Sequence, residues 1–349
     1  MNSFGHKLIR WYGVNKRDLP WRETSDPYKI WLSEVILQQT RVEQGISYYH
    51  KFLELFPTVK HLASAEEDKV LKAWQGLGYY SRARNLHHTA KQIVVESGGK
   101  FPNSYDELVK LKGVGPYTAA AIASFCFGEN KPVIDGNVIR VLSRIFGVAQ
   151  APDSNEGKKQ FRQVATEMIH GNDPATYNQA IMEFGAIQCT PKSPHCSDCP
   201  FKAECFAARN KAVGDFPGKK KKTLIKKMWL YYFHIIDGKS TYIRKRDYTG
   251  IWKGLYEFPL IEKNESADPG EVLKEFATIH DISSNGYTLE LSDEFTHILT
   301  HRKISARFFR LKMKKEKKLR LGNDWIKIKL NEIDNYGVPR LTDRYLSNV

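Results

Sequence analysis

The periodicity of this chain changes once, and that change limits the fold more than any other feature. Up to about residue 210 apolar residues recur at helical spacing and essentially no strand pattern stands out. After residue 228 the pattern turns strand-like. Trp229 to Ile236 and Ser240 to Arg244 are rich in aromatic and β-branched residues, with Asp237-Gly238 between them as a hairpin turn. A polar stretch at 209–227 separates the halves. It holds Gly214, Pro217, Gly218 and a lysine run from Lys219 to Lys222. Such a charge run reads first as a solvated connector. An all-helical part and a separate α+β part are therefore expected.

Helices are expected over 4–13, from Tyr28 to about Thr40, and over 43–56, 65–74, 81–97, 104–110, 138–149, 156–170 and 174–187. Arg17 to Arg22 reads as extended through Pro20. The second half predicts a helix over 268–280 and strands over 286–291, 295–299 and 303–313.

Within the helical part, Gly113-Val114-Gly115 sits between two helical patterns, followed by Pro116. Two glycines permit a tight turn with positive φ and leave backbone amides uncovered. Proline suits the first turn of the next helix, which needs no amide there. Bare amides at a helix N-terminus attract phosphate, so this helix–hairpin–helix can hold a nucleic-acid backbone without reading bases. Asp135, in Asp135-Gly136-Asn137, follows the second helix and places a carboxylate beside that anchor.

Asp26-Pro27 is a helix start. On that helix Trp31, Glu34, Val35 and Gln38 share one face, which puts a carboxyl among apolar neighbours and predicts a raised pKa. Gln38 to Arg41 form a polar cluster at the helix end. Gly76-Leu77-Gly78-Tyr79-Tyr80 joins flexible glycines to two aromatics beside Arg82 and Arg84. Those rings can wedge into a base stack or cap the core.

Cys189, Cys196, Cys199 and Cys205 fall within 17 residues. Four thiolates on one loop suit a tetrahedral metal or a cuboidal iron–sulfur cluster. Zinc modules usually offer two Cys-x2-Cys pairs and this loop has one, which favours the cluster. Clustered cysteines also indicate a reducing compartment and not a disulfide framework. The formal net charge of +15 favours a polyanionic partner. No apolar run is long enough for a membrane span and the N-terminus lacks a signal-peptide core, so a cytoplasmic protein, nucleoid-associated if bacterial, is expected.

With these residues the chain resembles the MutY family of adenine DNA glycosylases over nearly its whole length. The matching stretches are Leu19-Pro20-Trp21, Trp31 to Thr40, Gly76 to Leu86, the Gly113-Val114-Gly115 hairpin, Asp135 to Val138 and the four-cysteine loop. The resemblance implies a multidomain fold. An all-α helix–hairpin–helix core over 1–208 would comprise a six-helix barrel at about 22–132 and a cluster domain of 1–21 plus 133–208. A linker at 209–227 would lead to a C-terminal α+β Nudix-like domain over 228–349. It implies a [4Fe-4S] cluster on the four cysteines.

It further implies removal of adenine mispaired with 8-oxoguanine or guanine in duplex DNA, by a chain acting as a monomer. Adenine must be flipped out to be reached. Glu34 would protonate adenine N7, and Asp135 would stabilise or trap the oxocarbenium-like sugar. Tyr117 and Asn137 would hydrogen-bond these carboxyls. Arg22 and Gln179 would line the adenine pocket, and Gln39 and Tyr79 would wedge into the duplex. Gly113, Val114 and Gly115 would hold the DNA backbone. Phe295-Thr296-His297 stands where the family has a Phe-Ser-His recognition loop for 8-oxoguanine. The Nudix metal signature is missing, since its helix position reads Glu271-Val272-Leu273-Lys274-Glu275-Phe276. That excludes nucleotide hydrolysis as the expected role. A lyase of the endonuclease III type is disfavoured because Tyr117 stands where that branch has its Schiff-base lysine.

Overall fold

The computed structural model describes residues 3–218, 225–247, 250–299, 301–314 and 320–348; the lysine run from Lys219 to Lys222 lies outside them. The chain divides into two compact units. The first is Met1–Ser64 with Asn85–Lys221, and the second is Ala65–Arg84 with Lys222–Val349. The segment 65–84, placed with the helical core by sequence, thus packs with the C-terminal residues.

In chain order the helices are α1 (Ser3–Asn15), α2 (Pro27–Leu37), α3 (Val42–Leu55), α4 (Val59–Ser64), α5 (Glu67–Ala73), α6 (Ser81–Ser97), α7 (Tyr105–Leu108), α8 (Pro116–Phe127), α9 (Gly136–Phe146), α10 (Asn155–Ile169), α11 (Pro174–Glu183) and α12 (Phe206–Arg209). No strand occurs before residue 218 among the described residues. Three expectations change in detail. Pro20–Arg22 is a single 3-10 turn, with Pro20 leading it, instead of extended chain. Helix α2 ends at Leu37 and not near Thr40, because Gln38 leaves the helical region (φ −57°, ψ 110°) and Gln39 adopts φ +58°. Helix α11 passes directly into a π turn, Phe184–Gln188, closed by Cys189 N–H donating to the Phe184 carbonyl (2.7 Å).

Caps set the ends of the helices that matter for the site. Asp26 Oδ1 accepts from Tyr28 N–H (2.9 Å) at the start of α2. Asp135 Oδ1 accepts from Val138 N–H (2.8 Å) at the start of α9. Asp173 Oδ2 accepts from Thr176 N–H (2.8 Å) at the start of α11. Each cap satisfies an amide that the helix itself leaves orphaned. Phe4 and Leu8 of α1 pack against Val141 and Leu142 of α9 and Ile181 of α11. Phe201 joins them, with ring centroids 4.8 Å from Phe4 and 5.3 Å from Phe184.

The second unit is built on β1 (Lys226–Ile236), β2 (Ser240–Lys245), β3 (Tyr256–Glu257), β4 (Leu260–Lys263), β5 (Tyr287–Leu291), β6 (Phe295–Leu299), β7 (Arg302–Met313) and β8 (Ile326–Lys329), with helices α13 (Pro269–Ile279) and α14 (Arg340–Leu346). Strand β1 pairs in parallel with β7 from Lys226↔Arg302 to Ile236↔Lys312, and antiparallel with β4. Along its other edge β7 takes β5 and then β6, both antiparallel. A smaller sheet runs β3-β2-β8. Helix α13 covers one face of the larger sheet, with Phe276 stacked on Phe233 at 3.5 Å between centroids. Tyr345 of α14 covers the other, stacked on Phe308 at 4.0 Å. The residues matched to the family's recognition loop lie in strand β6, which coincides with the strand expected over 295–299. Phe295 and His297 pair with Ala306 and Ile304, which puts them on the α14 face of the sheet.

Candidate active site

The carboxyls singled out in the sequence line one cleft of about 750 Å³, together with Arg22, Gln39, Tyr117, Asn137 and Gln179. Glu34 is 6% exposed on α2, among Ile30, Trp31 and Val35, all buried. Burial pushes its carboxyl up to about 7. A hydrogen bond from the Tyr117 hydroxyl pulls it down, and the Asp135 charge pushes it up further. Asp135 is also raised by burial, but the Val138 amide and Asn137 oppose that. Its Oδ2 accepts from Asn137 Nδ2 at 2.7 Å. One carboxyl is thus able to hold a proton near neutral pH, while the other faces donors suited to an anion at a helix N-terminus.

Partners that sequence reasoning missed fix the position of Asp135. Asn178 is buried. It donates to the Ser124 hydroxyl (3.0 Å) and the Lys131 carbonyl (2.9 Å) and accepts from Val133 N–H (3.1 Å), which pins the segment leading into Asp135. Arg140 Nη2 donates to Asn137 Oδ1 (2.8 Å) and to the Gly185 carbonyl (2.6 Å), and its Nε donates to the Cys189 carbonyl (2.7 Å). By holding the Asn137 oxygen, Arg140 turns the Asn137 amide nitrogen toward Asp135. The approach requires Gly185, because a Cβ there would sit 2.6 Å from Asn137 Cβ.

Arg22 lines the cleft, but its guanidinium is committed to the buried Glu183 (2.8 Å) and to the Arg17 carbonyl (2.7 Å). Arg17 also binds Glu183 (2.7 Å), and the two arginines hold that carboxyl down to about 2 against its burial. Glu183 is a third residue that sequence reasoning missed. Its signal, a lone Glu at the end of an apolar helix, carries no pointer to two distant arginines. Gln179 Oε1 accepts from the Tyr12 hydroxyl at 2.8 Å, which fixes the amide orientation on the cleft wall.

In the hairpin only Gly113 needs its glycine conformation. Its φ is +79° and a Cβ would lie 2.6 Å from Asn85 Cβ, whereas Gly115 caps α8 with φ −81° and open space around it. Val114 is buried and its N–H is taken by the Leu111 carbonyl (3.1 Å). The Gly113 and Gly115 amides have no acceptor among the described residues. Gly113→Ala is expected to cost about 1–2 kcal/mol from the left-handed backbone alone, more with the Asn85 clash, and Gly115→Ala to cost far less. Thermal unfolding of the two variants checks this ordering.

Cys189, Cys196, Cys199 and Cys205 line one small cavity. Arg144 Nη1 donates to Cys189 Sγ (3.5 Å) and the Cys205 thiol to the Arg144 carbonyl (3.3 Å). In the other unit, Tyr80 is 4% exposed and Tyr79 is 44% exposed with φ +47°, so only Tyr79 is presented outward.

Residues 32–167 match the HhH-GPD superfamily of base excision DNA repair proteins, and residues 231–348 match the NUDIX domain family. An adenine DNA glycosylase of Buchnera aphidicola (subspecies Baizongia pistaciae) is 35% identical over 85% of this chain and 83% of its own length. The chain belongs to the adenine DNA glycosylase family. The Arabidopsis thaliana adenine DNA glycosylase is 36% identical over 84% of this chain, and the human one 43% identical over 59%. This chain spans 54% of the plant relative and 40% of the human one. A thermostable thymine-DNA glycosylase has a similar structure, with a TM-score of 0.55 at 28% identity, over 59% of this chain and 95% of its own. An endonuclease III trapped on DNA shares the fold, with a TM-score of 0.52 at 21% identity over 59% of this chain and 94% of its own. Glycosylases of this family are hydrolases acting on the N-glycosidic bond in base excision repair. The helix–hairpin–helix core and the Nudix-like second half are the two parts of that architecture. No described helix is long and apolar enough to cross a membrane.

Proposed function

We propose that this chain excises adenine lying opposite 8-oxoguanine or guanine in duplex DNA, as a monomer and without lyase chemistry. The observation that carries the reading is the pairing of Glu34, protonated near neutral pH, with Asp135 in one cleft. Adenine leaves poorly as an anion, and a proton delivered to N7 by Glu34 removes that obstacle. The sugar left behind carries positive charge. Asp135, held by Asn137 and the α9 amide, stabilises that charge or traps it covalently, as the second carboxylate of a glycosidase does. Tyr117 offers a hydroxyl to Glu34 and has no amine with which to form a Schiff base.

The remaining assignments follow the DNA. The free amides of Gly113 and Gly115, with Val114 buried beneath, suit a backbone phosphate. Gln39 and Tyr79, both in left-handed conformations, are read as wedges, and Arg22 and Gln179 as walls of the adenine pocket. Phe295, Thr296 and His297 are read as contacts to the oxidised guanine. The division of the chain into a catalytic part, 1–208, a linker, 209–227, and a recognition part, 228–349, describes roles rather than packing. Single-turnover excision from duplexes with A·8-oxoG, A·G, A·T and an oxidised pyrimidine tests the whole reading. Release of adenine from the first two alone is expected, and strand cleavage at an oxidised pyrimidine would overturn it.

Cys189, Cys196, Cys199 and Cys205 would hold a [4Fe-4S] cluster. The fit is chemical: four thiols line one cavity with the Arg144 cation beside them. No three His, Cys, Asp or Glu side chains among the described residues converge as on a single ion. A cuboidal cluster takes its four thiolates from one loop, whereas zinc modules usually offer two Cys-x2-Cys pairs and this loop has one. Bound there, the cluster would cross-link the loop after the π turn. Protein purified anaerobically is expected to be yellow-brown, with broad absorbance at about 400 nm and about four irons per chain. Colourless protein with one zinc would reverse the assignment.

A further inference from the structure

Helix α14 lies beside β6 and presents two arginines that no sequence motif singled out. Arg344 Nη1 donates to the Thr296 carbonyl at 3.4 Å, and its guanidinium lies over the Phe295 ring at 5.6 Å from the centroid. Arg340 stands one turn earlier on the same face of the helix. Both are exposed, and neither has a carboxylate partner among the described residues. Two arginines of the neighbouring β7 are engaged. Arg310 is paired with Glu290 (3.0 Å) and Arg307 with Glu294 (3.8 Å). Arg340 and Arg344 both act on His297, where they add to burial in lowering its proton affinity. Trp252 lies near His297, with ring centroids 6.1 Å apart, and adopts φ +62° while nearly buried. The surface therefore combines two cations without carboxylate partners, an imidazole whose protonation is disfavoured and two aromatic rings. A phosphodiester flanking an inserted base fits that chemistry, because the cations take the phosphate and the imidazole and rings take the base edge.

We propose that Arg340 and Arg344 clamp the backbone phosphate of the strand carrying the oxidised guanine, and that Arg344 is in addition the positioning residue for Phe295-Thr296-His297. This rests on the reading of β6 as the guanine-recognition element. The two roles of Arg344 separate by chemistry. A phosphate contact needs only charge, which lysine keeps. Holding the Thr296 carbonyl while lying flat on Phe295 needs the planar guanidinium, which lysine lacks.

The test uses full-length, cluster-loaded protein in a Glu34→Gln background, so that binding is measured without excision. Affinities for A·8-oxoG, A·G and A·T duplexes are measured over a range of salt. Arg340→Ala is expected to weaken all three about equally and to lower the log–log salt slope by about 0.9, the value for one phosphate. Arg344→Ala should lower the slope likewise and also reduce the preference for A·8-oxoG over A·G, on the order of tenfold. Arg344→Lys should restore the slope and leave the preference reduced. A slope unchanged in both alanine variants overturns the clamp, and an intact preference in Arg344→Ala overturns the positioning role. His297→Ala is the control for the underlying reading. If it keeps the full preference, β6 does not read the guanine, whatever the arginines do at the phosphate.

Discussion

Glu34→Gln is expected to lose nearly all adenine excision while binding a mispaired duplex as tightly as the parent chain. The glutamine keeps the shape and can still hydrogen-bond to the base, but it has no carboxyl proton to give. General acid catalysis contributes about 10²–10⁴ in rate, and the buried position offers no solvent substitute. The parent enzyme should show the same dependence in its pH profile. With the carboxyl pushed up to about 7, the single-turnover rate should be flat below that value and fall about tenfold per pH unit above it. A rate independent of pH from 5 to 9 would remove Glu34 from the role of acid.

The same substitution should stabilise the fold. The folded-state pKa lies above the unfolded value of 4.5, so the folded chain binds this proton more tightly. The contribution of Glu34 to stability is fully present below about 4.5 and is lost as pH rises through about 7. The shift corresponds to about 3 kcal/mol, mainly the cost of burying the carboxylate, with a further part from the Asp135 charge. Glu34→Gln carries no such cost. Its melting temperature should therefore exceed that of the parent at pH 8 by several degrees, with the difference shrinking toward pH 5. An acid site that is destabilising only when ionised would identify the residue independently of any assay of activity.

Asp135→Asn should separate chemistry from architecture. Asparagine caps a helix as well as aspartate does, so α9 and the fold should survive with a change of no more than about 1 kcal/mol. What disappears is the negative charge beside the sugar. Loss of one such group typically costs about 10²–10³ in rate, and more if the carboxylate forms a covalent intermediate. With its carbonyl oxygen kept on Val138 N–H, the variant turns an NH2 toward Asn137 Nδ2, donor against donor, so the cap survives and the Asn137 hydrogen bond is lost. Mismatch binding measured beside single-turnover excision decides the matter. Excision within a few-fold of the parent would exclude the charge from the mechanism.

The sequence made the reactive groups legible because each sits in a local pattern. Glu34 is visible on an apolar helix face, Asp135 at a helix start, and the cysteines by spacing. Their supports were not legible. Asn178, Arg140 and Glu183 act mainly through partners 45 to 166 residues away, which no window of sequence can reveal. Three short strands, β3, β4 and β8, escaped because runs of two to four residues carry too little alternation. The end of α2 was misplaced because Gln38 and Gln39 are good helix formers. Only the left-handed backbone at Gln39 breaks the helix there.

The segment 65–84 bears on how the chain can be cut. Leu71, Trp74 and Tyr80 are buried in the second unit. Gln75 donates to Asp343 (2.7 Å), Lys72 to the Tyr336 carbonyl (3.3 Å) and Arg84 to the Lys253 carbonyl (2.6 Å). A break in the linker after Gly218 would sever one covalent connection and leave this docking surface on the N-terminal fragment. That fragment would carry an exposed apolar patch shaped to fit the C-terminal one. The two pieces, made separately, are therefore complementary halves of a split protein, held together by twenty residues that the linker does not contain.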